Sequence, residues 1–208
     1  MPREVRERQM LDAAVQVFAR RGYRPASMDE IAELAGASKP LVYLYLNSKE
    51  ELFSACVRRE ADALVRAVRD AVDPDSPAER RLWDGLRGFF AHTAAHPDGW
   101  AVLHCQARTH GEPFALEVAA VRQKLVDIVT HLIAETAAEG SCGAPLAGHE
   151  ASGLANALVG AAEALAGWSN ARTDEAPSAT ERARTLMNFA WAGLENLTNG
   201  RRWAPARP

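Results

Sequence analysis

A chain of 208 residues can bury a core of its own, as one large domain or two small ones. At 48% hydrophobic and 25% charged residues it falls outside the disordered class, and no apolar run nears the ~18 residues of a membrane span. The net charge of −3 argues against a general polyanion binder. The charged opening from Met1 to Glu7 lacks the apolar run of a secretory signal, so a cytoplasmic protein is expected.

Charge is unevenly spread. Residues 1–60 hold ten Lys/Arg against nine Asp/Glu, and the remainder fourteen against eighteen, a weak polarity toward a basic N-terminal part. Cys56, Cys105 and Cys142 are odd in number and form no CxxC pair, which speaks against a disulfide framework and against a thiolate zinc site. They read as three reduced cysteines in or near a core.

In chain order the elements read as helices throughout, about nine of them. The first carries Leu11, Ala14, Val15 and Phe18 and stops at Gly22. Ser27 and Glu30 form a capping box that opens a short helix through Ala35, ended by Gly36. Ser38 caps a third helix with Pro40 in its first turn, running to about Leu46-Asn47. A second box, Ser48 with Glu51, starts a long helix to about Val72, and Ser76 with Glu79 forms a third.

Breaks then fall at His96-Pro97-Asp98-Gly99, at Gly111-Glu112-Pro113, at the loop 140–148 and at the polar loop 170–177. Between them lies a long helix with Phe114, Val118, Val121, Leu125, Ile128 and Leu132. A fourth box, Ser178 with Glu181, opens the last helix, which ends at Asn199-Gly200 before a frayed tail.

Two short helices joined by a glycine turn behind a longer one make a helix-turn-helix. Ile31, Ala32 and Ala35 give the second helix a narrow apolar face, and Val42 and Leu46 complete a small core with Phe18. The other face of the third helix then presents Lys39, Pro40, Leu41, Tyr43 and Leu44, with Tyr45 to one side. So many apolar and aromatic residues exposed on a short helix call for a partner. A DNA major groove accepts one α-helix. Lys39 and Lys49 suit phosphates, as do the N–H groups of the helix capped by Ser27. The alternative is a helical packing motif in which Tyr43 and Tyr45 fill a core.

The run Gly22-Tyr23, Ser27-Met28-Asp29-Glu30-Ile31-Ala32, Ala35-Gly36-Ala37-Ser38-Lys39 and Tyr43-Leu44-Tyr45-Leu46-Asn47-Ser48-Lys49-Glu50-Glu51-Leu52 resembles the N-terminal domain of TetR-type (TetR/AcrR family) transcriptional regulators. The resemblance is specific over roughly residues 8 to 55. It implies an all-α protein with a helix-turn-helix domain in 1–47, a helical ligand-binding and dimerisation domain in 48–200, and a tail in 201–208. It implies phosphate contacts at Ser27, Lys39, Tyr43, Tyr45 and Lys49 and base contacts at Pro40 and Leu41. Two departures stand out: Leu46 where the family usually has Phe, and Leu44 where His or Tyr is frequent. The function implied is that of a ligand-responsive regulator, most simply a repressor released from a palindromic double-stranded operator by a small apolar effector. No cofactor and no membrane partner are implied.

The same resemblance places a ligand pocket and a dimer interface in the larger part. Trp83, Leu86, Phe89, Phe90, Trp100, Leu103 and Phe114 are large residues suited to an apolar cavity or to plain core. His104, Arg108 and His110 stand nearby in sequence and suit a polar or anionic group. Gly153, Ala157, Gly160, Ala164 and Gly167 form a stripe of small residues beside a bulky row of Leu154, Leu158, Leu165 and Trp168. The last helix offers Leu186, Ala190, Gly193, Leu194 and Leu197 as its mate, two such helices per subunit making a four-helix bundle about a two-fold axis. Burial inside one subunit fits the bulky row equally well; dimerisation is favoured because paired half-sites need paired heads.

The i, i+4 spacing of His92 and His96 would let them share one face and bind a metal, with Cys105 and His104 the candidates for a third ligand and none obvious. The chain has no Gly-rich phosphate loop, GxSxG elbow or HExxH run, so an enzyme is not expected. The rival within DNA binding is an architectural protein without a ligand.

Overall fold

The computed structural model describes residues 3–106, 114–139, 146, 148–172 and 176–198. Among the described residues there are nine α-helices and no strand: α1 (Arg3–Arg21), α2 (Met28–Leu34), α3 (Lys39–Leu46), α4 (Lys49–Asp70), α5 (Ala78–Ala95), α6 (Pro97–Ala101), α7 (Phe114–Glu139), α8 (Gly148–Asn170) and α9 (Ala179–Thr198). A π-helical turn, Val102–Gln106, continues α6. None of these helices is long and apolar enough to cross a membrane.

The chain forms two compact units, Met1–Leu64 with Ala95–Val121, and Val65–Ala94 with Arg122–Pro208. In the first, α1 buries Met10, Ala14, Val17 and Phe18 along one face. The α1 cap is Gly22, at a φ of 83°. Gly36 turns the chain between α2 and α3 at a φ of 60°, a left-handed conformation that costs glycine little and side-chain-bearing residues more. Ile31, Ala32, Val42 and Leu46 close the small core against Phe18. α4 then adds Leu52, Phe53 and Cys56. Phe18, Tyr23, Phe53 and Phe114 form a ring cluster, with Phe53 edge-on to Phe18 at 4.9 Å and to Phe114 at 4.7 Å.

Local capping departs from the sequence expectation in four places. At α4 Glu51 N–H donates to Ser48 Oγ at 3.1 Å, but the Glu51 carboxylate takes Asn47 Nδ2 at 2.8 Å, so that box is half made. Ser27 Oγ accepts from Asp29 N–H at 3.1 Å, while Glu30 is drawn 9 residues away to Arg21 Nε at 3.2 Å, so the reciprocal box does not form. Ser38 makes no side-chain cap bond. Ser76 Oγ donates to Asp73 instead of capping α5. The box at α9 is complete: Ser178 N–H donates to Glu181 Oε2 at 2.7 Å, and Glu181 N–H to Ser178 Oγ at 3.2 Å. These bonds hold the Glu181 carboxyl below its ordinary pKa.

In the second unit α5, α7, α8 and α9 pack around Leu86, Phe89, Phe90, Val126, Ile133, Leu158 and Leu186, all buried. Polar ties join the helices. Arg122 Nη1 donates to Asn156 Oδ1 at 2.8 Å and Arg122 Nε faces Glu163 Oε2 at 3.3 Å. Asn170 Nδ2 donates to the Thr93 carbonyl at 2.9 Å, and Asn170 Oδ1 accepts from Arg182 Nη1 at 3.2 Å. The Arg182 guanidinium lies 5.5 Å over the Phe90 ring, and burial lowers its pKa.

Candidate DNA-reading head and effector cavity

α3 turns Val42 and Leu46 inward and leaves Lys39, Pro40, Tyr43 and Leu44 exposed. Leu44 is 75% exposed and Tyr43 38%, an unusual face for an eight-residue helix that has water as its only neighbour. Pro40 is exposed, and Leu41 and Tyr45 are half-buried. The Arg3 guanidinium sits 5.3 Å over the Tyr45 ring, a partner that sequence spacing did not reveal.

The two lysines are differently held. Lys39 is exposed and its Nζ donates to Asp29 Oδ2 at 2.9 Å; that bond raises its pKa, and the ammonium stays charged. An exposed pair of this kind is cheap to break. Lys49 is half-buried: its Nζ donates to the Arg24 carbonyl at 2.8 Å and lies 5.0 Å over the Tyr23 ring. Burial lowers its pKa. Ser27, Lys39, Pro40, Leu41, Tyr43, Leu44, Tyr45 and Lys49 all belong to the first unit, on α3 and the segments flanking it.

A family model described as "Bacterial regulatory proteins, tetR family" matches residues 10–56, and one for a "Tetracyclin repressor-like, C-terminal domain" matches residues 78–193. The chain belongs to the TetR family. Within that family, the "HTH-type transcriptional activator FasR" of Mycolicibacterium smegmatis is 32% identical over 199 residues, 95% of this chain and 86% of its own length. The crystal structure of a TetR-like transcriptional regulator from Rhodococcus sp. RHA1 aligns with a TM-score of 0.79 at 37% identity, covering 94% of this chain and 98% of its own. FadR from Bacillus subtilis, solved in complex with stearoyl-CoA, shares the fold, with a TM-score of 0.68 at 17% identity over 94% of this chain and 99% of its own.

The large residues expected to line one TetR-family pocket are divided. Leu86 and Phe89 line an apolar cavity in the second unit, with Val68, Leu125, Leu132 and Val159 among its other walls. Its enclosed volume is about 60 Å³. Phe90 is buried beneath Arg182, and Trp83 is half-buried away from this cavity. Trp100, Leu103, His104 and Phe114 belong to the first unit, where Trp100 stacks on His104 at 4.8 Å and Phe114 joins the ring cluster. The eight candidates therefore serve separate cores. Arg108, His110 and Cys142 lie outside the described residues. Among the described residues no three His, Cys, Asp or Glu side chains could hold a metal ion.

On α8, Gly153, Ala157, Ala164 and Trp168 are exposed. Gly160 lies against Arg122 of the same chain, and Gly167 is half-buried. On α9 the buried row is Leu186, Met187 and Leu194; of the two leucines expected at a subunit interface, Leu186 faces the protomer's own core, and Leu194, though buried, also lines the outer groove. The outward row holds Phe189, 79% exposed, with Ala190, Gly193 and Leu197. With Leu154 and Ala157 of α8 these residues form an apolar groove. Cys56 is buried, its thiol pushed up to about 12 by burial, whereas Cys105 is exposed and outside any core.

Proposed function

We propose that this TetR-family chain binds a palindromic double-stranded DNA operator as a homodimer and leaves it when a small apolar effector fills the cavity of the second unit. The observation that carries the reading is the α3 face, where Leu44 and Tyr43 stand exposed beside Lys39 and Pro40. In the major groove Leu41 and Leu44 meet thymine methyls, while Lys39, Lys49, Tyr43, Tyr45 and the N-terminus of α2 behind Ser27 hold phosphates. Lys39 exchanges Asp29 for phosphate at little cost.

Functionally the chain divides into a reading head, 1–47, and a sensing and pairing part, 48–200. Pairing uses the outward row of α9 and the small exposed residues of α8, a second copy of the chain being the partner that sets two heads about one helical turn of DNA apart. Bacillus subtilis FadR holds stearoyl-CoA, and an aliphatic chain suits a cavity whose walls are almost wholly apolar. α4 supplies Leu52 and Phe53 to the head core and Val68 to the cavity wall, so a ligand that moves its C-terminal turns re-aims the head. A coupling of ~1–3 kcal/mol is the ordinary scale. Repression results where the operator overlaps a promoter; the activator name of the Mycolicibacterium smegmatis relative makes operator position the decisive datum for the sign. These roles place the protein in the cytoplasm with the chromosome.

The test passes fragments of the organism's genome over the immobilised protein at moderate salt and sequences what is retained. Palindromic half-sites about one helical turn apart support the reading. Retention of nothing by a folded dimer overturns it.

A further inference from the structure

The first turn of α1 reaches α3. Arg3 is exposed, and its guanidinium carbon stands 5.3 Å over the ring of Tyr45, within the range of a cation–π contact. Tyr45 follows Leu41 by one helical turn, so the two share one side of α3, and both are half-buried beside the exposed Tyr43 and Leu44. Arg3 therefore flanks α3 at its edge and leaves the exposed face of that helix clear. Other cations of the same unit are already engaged: Arg21 holds Glu30, Lys39 holds Asp29, and Arg59 holds Asp12 and Glu60. Among the described residues Arg3 makes no ion pair, although Glu7 stands one turn further along α1.

A guanidinium stacked on a ring has its flat face covered and its edge free, and that edge carries N–H donors in a fork matched to phosphate. The ring also holds the side chain in place, so less freedom is lost when a phosphate is bound. With α3 in a major groove, the sugar-phosphate strand beside Tyr45 is the one within reach of Arg3. We infer that Arg3 is a further DNA contact of the head, a phosphate clamp held on the Tyr45 ring. It fixes the register of α3 on the duplex without reading a base. Lys39 has to release Asp29 to reach a phosphate, whereas Arg3 gives up water alone. This rests on α3 being the DNA-reading helix and adds a contact that comes from α1.

The experiment measures fluorescence anisotropy over a salt series, with the palindrome recovered from the genome and with a scrambled duplex. The proteins are the full-length wild type, Arg3→Ala, Arg3→Lys, Tyr45→Leu and the double variant Arg3→Ala, Tyr45→Leu. Arg3 is exposed, so its replacement leaves the fold intact. Arg3→Ala should lower the slope of log K against log salt by about one for each head engaged, and weaken binding about fivefold per head at about 0.15 M salt. The loss should be the same on both duplexes, because a phosphate contact carries no sequence information. Arg3→Lys should restore the slope, since the charge returns. In the Tyr45→Leu background Arg3→Ala should cost less than it does in the wild type, because the platform is already gone. Unchanged affinity and slope in Arg3→Ala overturn the assignment while wild-type binding keeps α3 as the reading helix. A loss of affinity at unchanged slope overturns it too, leaving Arg3 as a brace for Tyr45, and additive losses overturn the role of the ring. Failure of the folded wild-type dimer to bind either duplex overturns the DNA reading itself, and this inference with it.

Discussion

Phe189 should hold the subunits together while contributing little to the protomer. Its side chain is 79% exposed on α9. A phenylalanine buries about 200 Å² when fully covered, so about 160 Å² would be removed from water in each subunit. At ~25 cal/mol per Å² that is about 4 kcal/mol per subunit as an upper bound. Ordering and imperfect fit consume part of this on association, and an aromatic hot spot truncated to alanine typically costs about 2 kcal/mol or more. The two-fold axis doubles the loss, so Phe189→Ala should raise the dimer dissociation constant by about a thousandfold or more. Sedimentation velocity over a dilution series reads this directly. Helix content at high protein concentration should match the wild type, because the side chain touches little within its own chain. An unchanged dissociation constant would refute the assignment of this face.

Lys39→Ala should weaken binding to every DNA sequence alike and lower the slope of log K against log salt by about one, read by fluorescence anisotropy; an unchanged slope would reverse the orientation assigned to α3. A Cβ at position 99 would clash with Glu60 Oε2, so Gly99→Ala must displace the carboxylate that Arg59 holds at 2.8 Å while also bridging to Asp12 at 2.8 Å. It should cost about 1–3 kcal/mol in urea unfolding and less than additively with Glu60→Ala; additive losses would show that the two do not meet. Because Glu181 has a lowered pKa in the folded chain, its cap stabilises fully above the ordinary value of 4.5 and is lost as pH falls through the folded value. The melting-temperature gap between wild type and Ser178→Ala should therefore be open at neutral pH and close in acid; a gap independent of pH would contradict the Glu181 linkage.

Much of the head was legible because its signals are local. The turn glycines, the spacing of Val42 and Leu46 and the apolar and aromatic face beside Lys39 all lie within a few residues of one another. Contacts across the fold were not legible. Glu30 was expected at its own helix start and is taken by Arg21, and the pairing of Arg81 with Glu135 spans 54 residues. On α9 two apolar rows run side by side, Leu186 with Leu194 and Phe189 with Gly193, and periodicity alone cannot say which faces inward. The middle helices carry bulky residues on more than one face, which is why aromatic content did not mark the cavity.

The most direct measurement compares affinity for the palindrome recovered from the genome with affinity for a scrambled duplex at the same salt, for the wild type and for the double variant Leu41→Ala, Leu44→Ala. DNA reading by α3 predicts a wild-type preference of about a thousandfold or more, collapsing in the variant while the phosphate contacts hold the residual affinity. Equal affinity of the folded wild-type dimer for both duplexes would contradict it.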